Sequence, residues 1–299
     1  MKEYQDRIRI NLNDLLKMEG LTKRFSLRSS KNKVKRVLGG MHASKLRGRG
    51  MDFEEVRNYV PGDDIRNIDW KVTARTKKTH SKVFSEEKEK PVMIVVDQSA
   101  SMFFGSKNYT KSVIAAQLAA SIAFKVLKEG DRVGGLVFGS GDIDLVSPKR
   151  DRRNLLRFLE QISKRNQELI NRNSMDFESQ FNRAFSKIIN VVTHDFSVYI
   201  ISDFYRYSNA MFKAVKQLSL HNDVVLIQVT DPMEKTLPNE RFVIGDNSLQ
   251  LELDARDLKF RKAVELDYSE KQHRFQEELK KFRIPLLHFD TSKSVEDQL

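Results

Sequence analysis

The feature that most constrains the fold of this chain is an apolar run over residues 92–96, which ends abruptly in a polar stretch over residues 97–101. The run has the length and the β-branched content of a strand buried on both faces, and such strands belong to parallel sheets whose carboxyl ends hold ligands. Asp97, Ser99 and Ser101 occupy alternate positions of the turn that leaves this strand. Their oxygens can converge on one point, which suits Mg²⁺ because this ion keeps several waters and takes few protein ligands.

This Asp-x-Ser-x-Ser pattern after an apolar strand resembles the metal-ion-dependent adhesion site of von Willebrand factor A domains. A second apolar run, residues 197–201, ends just before Asp203, where that fold places its distal aspartate. The resemblance implies that Asp97, Ser99 and Ser101 hold the ion directly and that Asp203 reaches it through water.

The third loop of that site departs from the resemblance. A threonine is expected there before a helix, but residues 172–177 contain none, so Ser174 is the best substitute and Asp176 the runner-up. Either the metal is held with altered geometry, or the site is partly vestigial. A further alternative is that Asp97 and the two serines only satisfy a turn and cap the next helix.

Composition excludes several other classes of protein. At 299 residues the chain can bury one large core plus a smaller module, and 39% hydrophobic with 31% charged residues is typical of a globular protein. No apolar stretch approaches the roughly 18 to 20 residues of a membrane span, and the first residues are charged, so we expect a cytoplasmic protein. The absence of cysteine and of any His-x-x-x-His spacing argues against zinc chemistry.

The net charge of +12 is concentrated at one end of the chain. Residues 1–50 carry fourteen Lys or Arg and four Asp or Glu, a net charge of +10. Such a basic arm could contact phosphates, an acidic protein surface or an anionic membrane face. It lacks the interleaved aromatic residues of a stacking platform and matches no recognition motif, so nucleic acid is the less favoured partner.

A more specific resemblance runs in order across about fifty residues ahead of the Asp97 strand. The matching positions are Gly48, Gly50, Asp52, Phe53, Arg57, Tyr59, Gly62, Asp63, Asp64, Arg66, Asp69, Trp70, Ala74, Arg75, Phe84, Glu86 and Glu87. Together with the Asp97 loop they resemble the signature of the domain-of-unknown-function 58 family. The resemblance implies a von Willebrand factor A-like domain preceded by a small β-rich module, and a MoxR-type AAA+ ATPase as partner. Many relatives carry amino-terminal membrane helices, and no stretch here has that character.

The pattern along the chain predicts the domain organisation. Residues 1–20 have apolar side chains at helical spacing and predict an N-terminal helix that docks on the rest of the protein. Residues 21–90 form the small β-rich module with the basic arm. Residues 91–299 alternate strands and helices in the order β-α-β-β-α-α-β-α-β, followed by a hairpin insertion near 239–253, a long charged helix and a last strand. This order predicts an α/β fold, a von Willebrand factor A-like doubly wound mainly parallel sheet.

Aromatic residues have competing interpretations. We expect Trp70, the only tryptophan, to be a core residue beside a local ion pair of Asp69 and Arg66, while a contact for a partner protein is the alternative. Phe103 and Phe104 follow the metal loop. The pattern is equally compatible with side chains that pack into the core at the start of the next helix and with side chains that contact a partner protein beside the metal.

Enzymatic functions fit the sequence less well than binding does. A haloacid-dehalogenase-type phosphatase needs an acid two residues after Asp97, where Ser99 stands, and neither a Gly-x-Ser-x-Gly elbow nor a P-loop is present. The sequence therefore predicts a non-enzymatic adaptor or scaffold. Its cofactor is Mg²⁺, or Mn²⁺ or Ca²⁺, held by Asp97, Ser99, Ser101, Ser174 and Asp203, and its partner is a MoxR-type ATPase or another protein that offers an acidic side chain. The alternatives are binding to nucleic acid or a phosphate surface through the basic arm, and an uncharacterised metal-dependent hydrolase.

Overall fold

The computed structural model describes residues 7–23, 43–44, 51–87, 90–139, 141–171, 177–245 and 250–299. The chain divides into two compact units, a small one over Gly39–Glu89 and a large one formed by Met1–Leu38 together with Lys90–Leu299. The large unit contains both strands that the candidate site was predicted to follow. Among the described helices, none combines the length and the apolar content needed to cross a membrane.

The large unit begins with a short helix, α1 (Leu12–Lys17), followed by a 3-10 turn over Met18–Lys23. The side chain of Asn11 caps α1 by accepting a hydrogen bond from the backbone N of Asp14 at 3.0 Å. Residues 1–6 of the predicted helical range 1–20 lie outside the described residues. Ile10 and Leu15 are fully buried in the core of this unit, so the N-terminal segment docks as its apolar spacing predicts.

The described part of the small unit comprises an antiparallel sheet and a helix. Its strands are β1 (Ala43–Ser44), β2 (Met51–Asn58) and β3 (His80–Glu87), in the order β1-β3-β2. Between β2 and β3 lie a turn in which Gly62 has φ +106°, a 3-10 turn over Ile65–Asn67, and α2 (Trp70–Thr76).

The expectation that Trp70 is a core residue is wrong. Trp70 is 70% exposed, and Ile65 on the same connection is 67% exposed. A unit of about fifty residues has too little interior to bury every large apolar side chain. Asp69 caps α2 through the backbone N–H groups of the first turn, and its ion pair is with Lys82 at 3.7 Å, whereas Arg66 was expected.

A six-stranded sheet organises the large unit. Its first five strands are β4 (Val92–Gln98), β5 (Val133–Gly139), β6 (Asp144–Lys149), β7 (Ser197–Ser202) and β8 (Asp223–Thr230). A separate hairpin of β9 (Arg241–Gly245) and β10 (Gln250–Asp254) follows in the chain, and the sixth strand of the sheet is β11 (Leu286–Asp290). The order is β11-β8-β7-β4-β5-β6, and every neighbouring pair is parallel except β5 and β6. The predicted doubly wound, mainly parallel sheet is confirmed. The element order agrees with the prediction except for two short helices that it did not include, Pro232–Lys235 after β8 and Val295–Gln298 after β11.

Helices cover both faces of this sheet. They are α3 (Lys111–Lys128), α4 (Arg152–Glu168), α5 (Phe177–Val191), α6 (Asn209–Ser219), α7 (Pro232–Lys235), α8 (Leu258–Lys281) and α9 (Val295–Gln298). Alternate residues of β4 enter two separate cores. Ile94 packs with α3, α4 and the N-terminal segment, while Met93 and Val95 pack with α5, α6 and α8. Burial on both faces explains why the β4 sequence is apolar without alternation.

Candidate functional site

The candidate site lies where the order of strands reverses. The chain proceeds from β4 to β5 on one side and later returns to β7 on the other side of β4. Such a switch point leaves a crevice at the carboxyl ends of the two strands, where ligands bind in open α/β sheets. Asp97 lies near the end of β4 and Asp203 directly follows β7, so the fold brings together two residues that are 106 positions apart.

Asp97 is held in place by hydrogen bonds to both carboxylate oxygens. The backbone N of Ser99 donates to Oδ1 at 2.8 Å, and the hydroxyl of Ser202 donates to Oδ2 at 2.6 Å. Ser202 reaches Asp97 because β4 and β7 are adjacent and parallel, with Val96 opposite Ile201. Asp97 is fully buried, and among the described residues no Lys, Arg or His forms an ion pair with it.

The electrostatic environment of Asp97 favours its protonated form. Burial, and then the negative charge of Asp203, raise the pKa of Asp97 to about 7, although hydrogen bonds from Ser202 and Ser99 oppose the shift. A buried carboxylate that lacks a cation is costly to ionise. A positive charge supplied from outside the chain would lower that cost.

The two serines of the motif lie together. The hydroxyl oxygens of Ser99 and Ser101 are 3.2 Å apart, and Ser101 is only half-buried, so this end of the cluster approaches the surface. The last residue of β4 lies close to β5, since a Cβ at Gly139 would lie 2.3 Å from the carbonyl oxygen of Gln98. Asp97, Ser99 and Ser101 thus form a fixed cluster of hard oxygens at the end of β4.

Asp203 has a cationic neighbour that the sequence analysis missed. Lys111 Nζ lies 2.8 Å from Asp203 Oδ2 and 2.5 Å from Glu234 Oε1. The side chains of Lys111 and Asp203 are each 2% exposed. Burial alone would lower the pKa of Lys111, but the two carboxylates outweigh it and raise the pKa above its ordinary value. The ammonium is therefore a permanent positive charge in this crevice.

Helical periodicity contains the signal that could have identified Lys111. On α3 it shares a face with Ala115, Leu118 and Ile122, which are all buried, so a lysine at this position must also be buried. A buried lysine requires an anionic partner. Glu234 could not be paired with it from sequence, because the contact depends on how α7 follows β8.

The oxygen cluster at Asp97 fits a divalent ion in part. The donor set of one buried carboxylate and two hydroxyls suits a hard cation, and the unpaired charge of Asp97 favours one. Asp203 is less available, because Lys111 already neutralises it. Ser174 and Asp176 lie outside the described residues. Within the described ranges, no three His, Cys, Asp or Glu side chains come together as a metal-binding group, so a metal here depends on the serine hydroxyls.

Comparisons with known proteins agree with the sequence resemblance. The model of the family described as "Protein of unknown function DUF58" matches residues 55–274. An uncharacterised protein of Mycobacterium tuberculosis is 30% identical over 220 residues, which are 74% of this chain and 66% of that protein. The match thus spans just under two thirds of that relative's length.

Solved structures resemble this chain at low identity and low TM-score. The conserved hypothetical protein BatB from Bacteroides thetaiotaomicron has a TM-score of 0.43 and 18% identity, covering 70% of this chain and 94% of that chain. A von Willebrand factor type A structure from Catenulispora acidiphila has a TM-score of 0.32 and 13% identity, covering 49% of this chain and 34% of that chain. The large unit itself has an α/β fold with a mostly parallel central sheet.

Proposed function

The chain belongs to the DUF58 family, and from this premise we propose that it is a non-enzymatic, metal-dependent adaptor. Its large unit binds another protein through the carboxyl edge of the six-stranded sheet. The observation that carries the proposal is the buried carboxylate of Asp97, which lies at the switch point of the sheet beside two hydroxyls and without an ionic partner among the described residues.

In this proposal Mg²⁺, or Mn²⁺ or Ca²⁺, is held by Asp97, Ser99 and Ser101. The bound ion supplies a positive charge with open coordination positions for a hard anionic ligand. Ser202 orients the Asp97 carboxylate through its 2.6 Å hydrogen bond, and the backbone N of Ser99 fixes the other oxygen. Ser174 remains a predicted ligand.

The proposed partner offers an acidic side chain to the site. A glutamate or aspartate would complete the coordination of the ion and balance the positive charge that remains after Asp97 has neutralised part of it. The half-buried Phe103 and Phe104 follow the loop and provide apolar contact area beside it. The family resemblance suggests a MoxR-type AAA+ ATPase, which would supply the nucleotide-binding loop that this chain lacks and would place the binding event in the cytoplasm.

Binding is favoured over catalysis by the state of Lys111. An ammonium that two carboxylates hold cannot accept a proton at neutral pH, so Lys111 is unsuited to act as a general base. The hydroxyls of Ser99 and Ser101 bond to each other and not to a histidine in the described part of the chain. These contacts support a site that binds an anionic group without transforming it.

Association of the purified proteins tests the proposal. We expect this chain to bind a MoxR-type ATPase from the same organism in Mg²⁺ and to lose most of that binding in EDTA. Asp97→Asn should weaken binding in Mg²⁺ at least tenfold. Asp142→Asn is the matched control, because this side chain is 92% exposed and the change removes the same charge. Equal binding by wild type and Asp97→Asn would contradict the proposal.

A further inference from the structure

Lys111 is the counter-ion on the side of the crevice where Asp203 lies. Its ammonium contacts Asp203 at 2.8 Å and Glu234 at 2.5 Å, and it lies 5.9 Å from the centre of the Phe104 ring. A lysine in the first turn of a helix is disfavoured by the helix dipole, and this side chain is also buried. Two carboxylates offset both costs.

The surrounding backbone fixes the two carboxylates that hold Lys111. Asp203 Oδ1 accepts from the backbone N of Tyr205 at 3.0 Å, which leaves Oδ2 for the lysine. Glu234 Oε2 accepts from the backbone N of Asp231 at 3.0 Å in a capping box, which leaves Oε1 for the lysine. Each carboxylate therefore divides its two oxygens between a backbone N–H and the same ammonium.

The Asp97 side and the Asp203 side of the crevice differ in charge. Asp97 lacks a cation among the described residues, whereas Asp203 has one inside the fold. A divalent ion that used both aspartates would lie close to the ammonium of Lys111, and in a site of low dielectric the repulsion between these charges is strong.

We infer that Lys111 is the resident cation of this crevice, that it removes Asp203 from the ligands of a divalent ion, and that it keeps the divalent-ion affinity of the free protein low. This inference rests on the proposed function. Because Lys111 neutralises a carboxylate within the chain, binding of the divalent ion depends on a partner. An anionic side chain of the partner would supply the missing negative charge.

Removal of the ammonium should create a stronger metal site. Lys111→Met keeps an unbranched chain of similar length but leaves Asp203 and Glu234 without a counter-ion. A divalent ion is then the available partner for both carboxylates. We expect Lys111→Met to bind Mn²⁺ at least tenfold more tightly than wild type and to gain more in melting temperature on addition of Mg²⁺ than wild type does.

Mn²⁺ titrations followed by electron paramagnetic resonance, together with thermal melts, test the inference. Asp203→Asn in the wild-type background should change the Mn²⁺ affinity less than threefold. Lys125→Met is the control, because it removes a lysine of the same helix that pairs with Glu129 away from the site. If Lys111→Met does not fold without metal, the double variant Lys111→Met/Glu234→Gln can replace it, because only Asp203 of the two carboxylates then lacks its counter-ion. This double variant should also bind Mn²⁺ at least tenfold more tightly than wild type.

The outcomes separate this inference from the proposed function. Wild-type binding that Asp97→Asn abolishes supports a metal at the Asp97 cluster. Two results would show that Lys111 does not control the site: loss of wild-type Mn²⁺ binding in Asp203→Asn, or no tighter Mn²⁺ binding in either Lys111 variant. Each would make the inference wrong and leave the adaptor proposal standing. Tightening in the Lys111 variants without any partner binding would leave the inference correct and the adaptor proposal wrong.

Discussion

Nδ2 of Asn166 donates to Oε1 of Gln98 across 3.0 Å, and both side chains are buried although 68 residues separate them in the chain. Oδ1 of Asn166 accepts from the backbone N of Ile10 at 2.8 Å, and Nε2 of Gln98 donates to the carbonyl oxygen of Ser112 at 3.0 Å. Gln98 lies between Asp97 and Ser99. The N-terminal segment is thereby hydrogen-bonded, through Asn166, to the loop that carries the candidate site.

Asn166→Ala should therefore lower the free energy of unfolding by about 3 kcal/mol. The change leaves the backbone N of Ile10 and Oε1 of Gln98 unpaired in the core, and a buried unpaired group costs about 1–3 kcal/mol. Urea denaturation followed by circular dichroism measures the loss. Asn182→Ala, on the exposed face of α5, is the control and should change stability by less than about 0.5 kcal/mol. A similarly small loss for Asn166→Ala would show that the two hydrogen bonds do not couple these segments.

Trp70→Ala should have little effect on stability, because the ring is 70% exposed. Its loss should lower the free energy of unfolding by less than about 1 kcal/mol, whereas Phe158→Ala, at 1% exposure, should cost about 3–5 kcal/mol. Thermal melts of the two variants measure the contrast. A loss for Trp70→Ala as large as that for Phe158→Ala would mean that the ring is buried in solution. Weaker partner binding by Trp70→Ala, without a change in melting temperature, would favour a partner contact.

The stability of the metal-free protein should depend on pH through Asp97. Its pKa is raised from 3.8 to about 7 in the folded protein. Between these values the folded state holds a proton that the unfolded state has lost, so the free energy of unfolding falls as the pH rises from about 4 to about 7. At pH 8 in EDTA, Asp97→Asn should be more stable than wild type by on the order of 2 kcal/mol, because it removes an unpaired buried charge.

Denaturation at pH 5 and at pH 8 checks this dependence. Asp142→Asn serves again as the exposed control and should follow the wild-type profile. Addition of Mg²⁺ at pH 8 should stabilise wild type and leave Asp97→Asn unaffected. If wild type and Asp97→Asn lose stability in parallel between these pH values, Asp97 does not carry the titration.

The sequence predicted most of the fold because the pattern of β4 admits few solutions. An apolar run without alternation demands a strand covered on both faces, and the segments that follow supply the helices for both cores. The apolar patterns placed Asp97 and Asp203 at the ends of two strands, and the resemblance to von Willebrand factor A domains implied that these ends are neighbours. The sequence could not show that Ser202 bonds to Asp97, since that contact requires the register of β7 against β4.

The sequence interpretation failed where a contact depends on tertiary surroundings. Trp70 was expected in a core because tryptophan is large and apolar, yet its small unit leaves the ring exposed. Lys111 was not identified from the sequence, and one of the two carboxylates that pair with it, Glu234, is 123 residues away. The charge balance of the crevice therefore became visible only in the folded structure.

Reciprocal coupling between metal and partner tests the central claim most directly. If the ion at Asp97 forms part of the binding surface, Mg²⁺ and a MoxR-type ATPase must strengthen each other's binding by the same factor. Calorimetric titration should give a Kd for Mg²⁺ that is at least tenfold lower with the ATPase present, and a Kd for the ATPase that is lower in Mg²⁺ by the same factor. In Asp97→Asn both effects should vanish. An affinity for Mg²⁺ that is unchanged by the ATPase, or a coupling that persists in Asp97→Asn, would contradict the account.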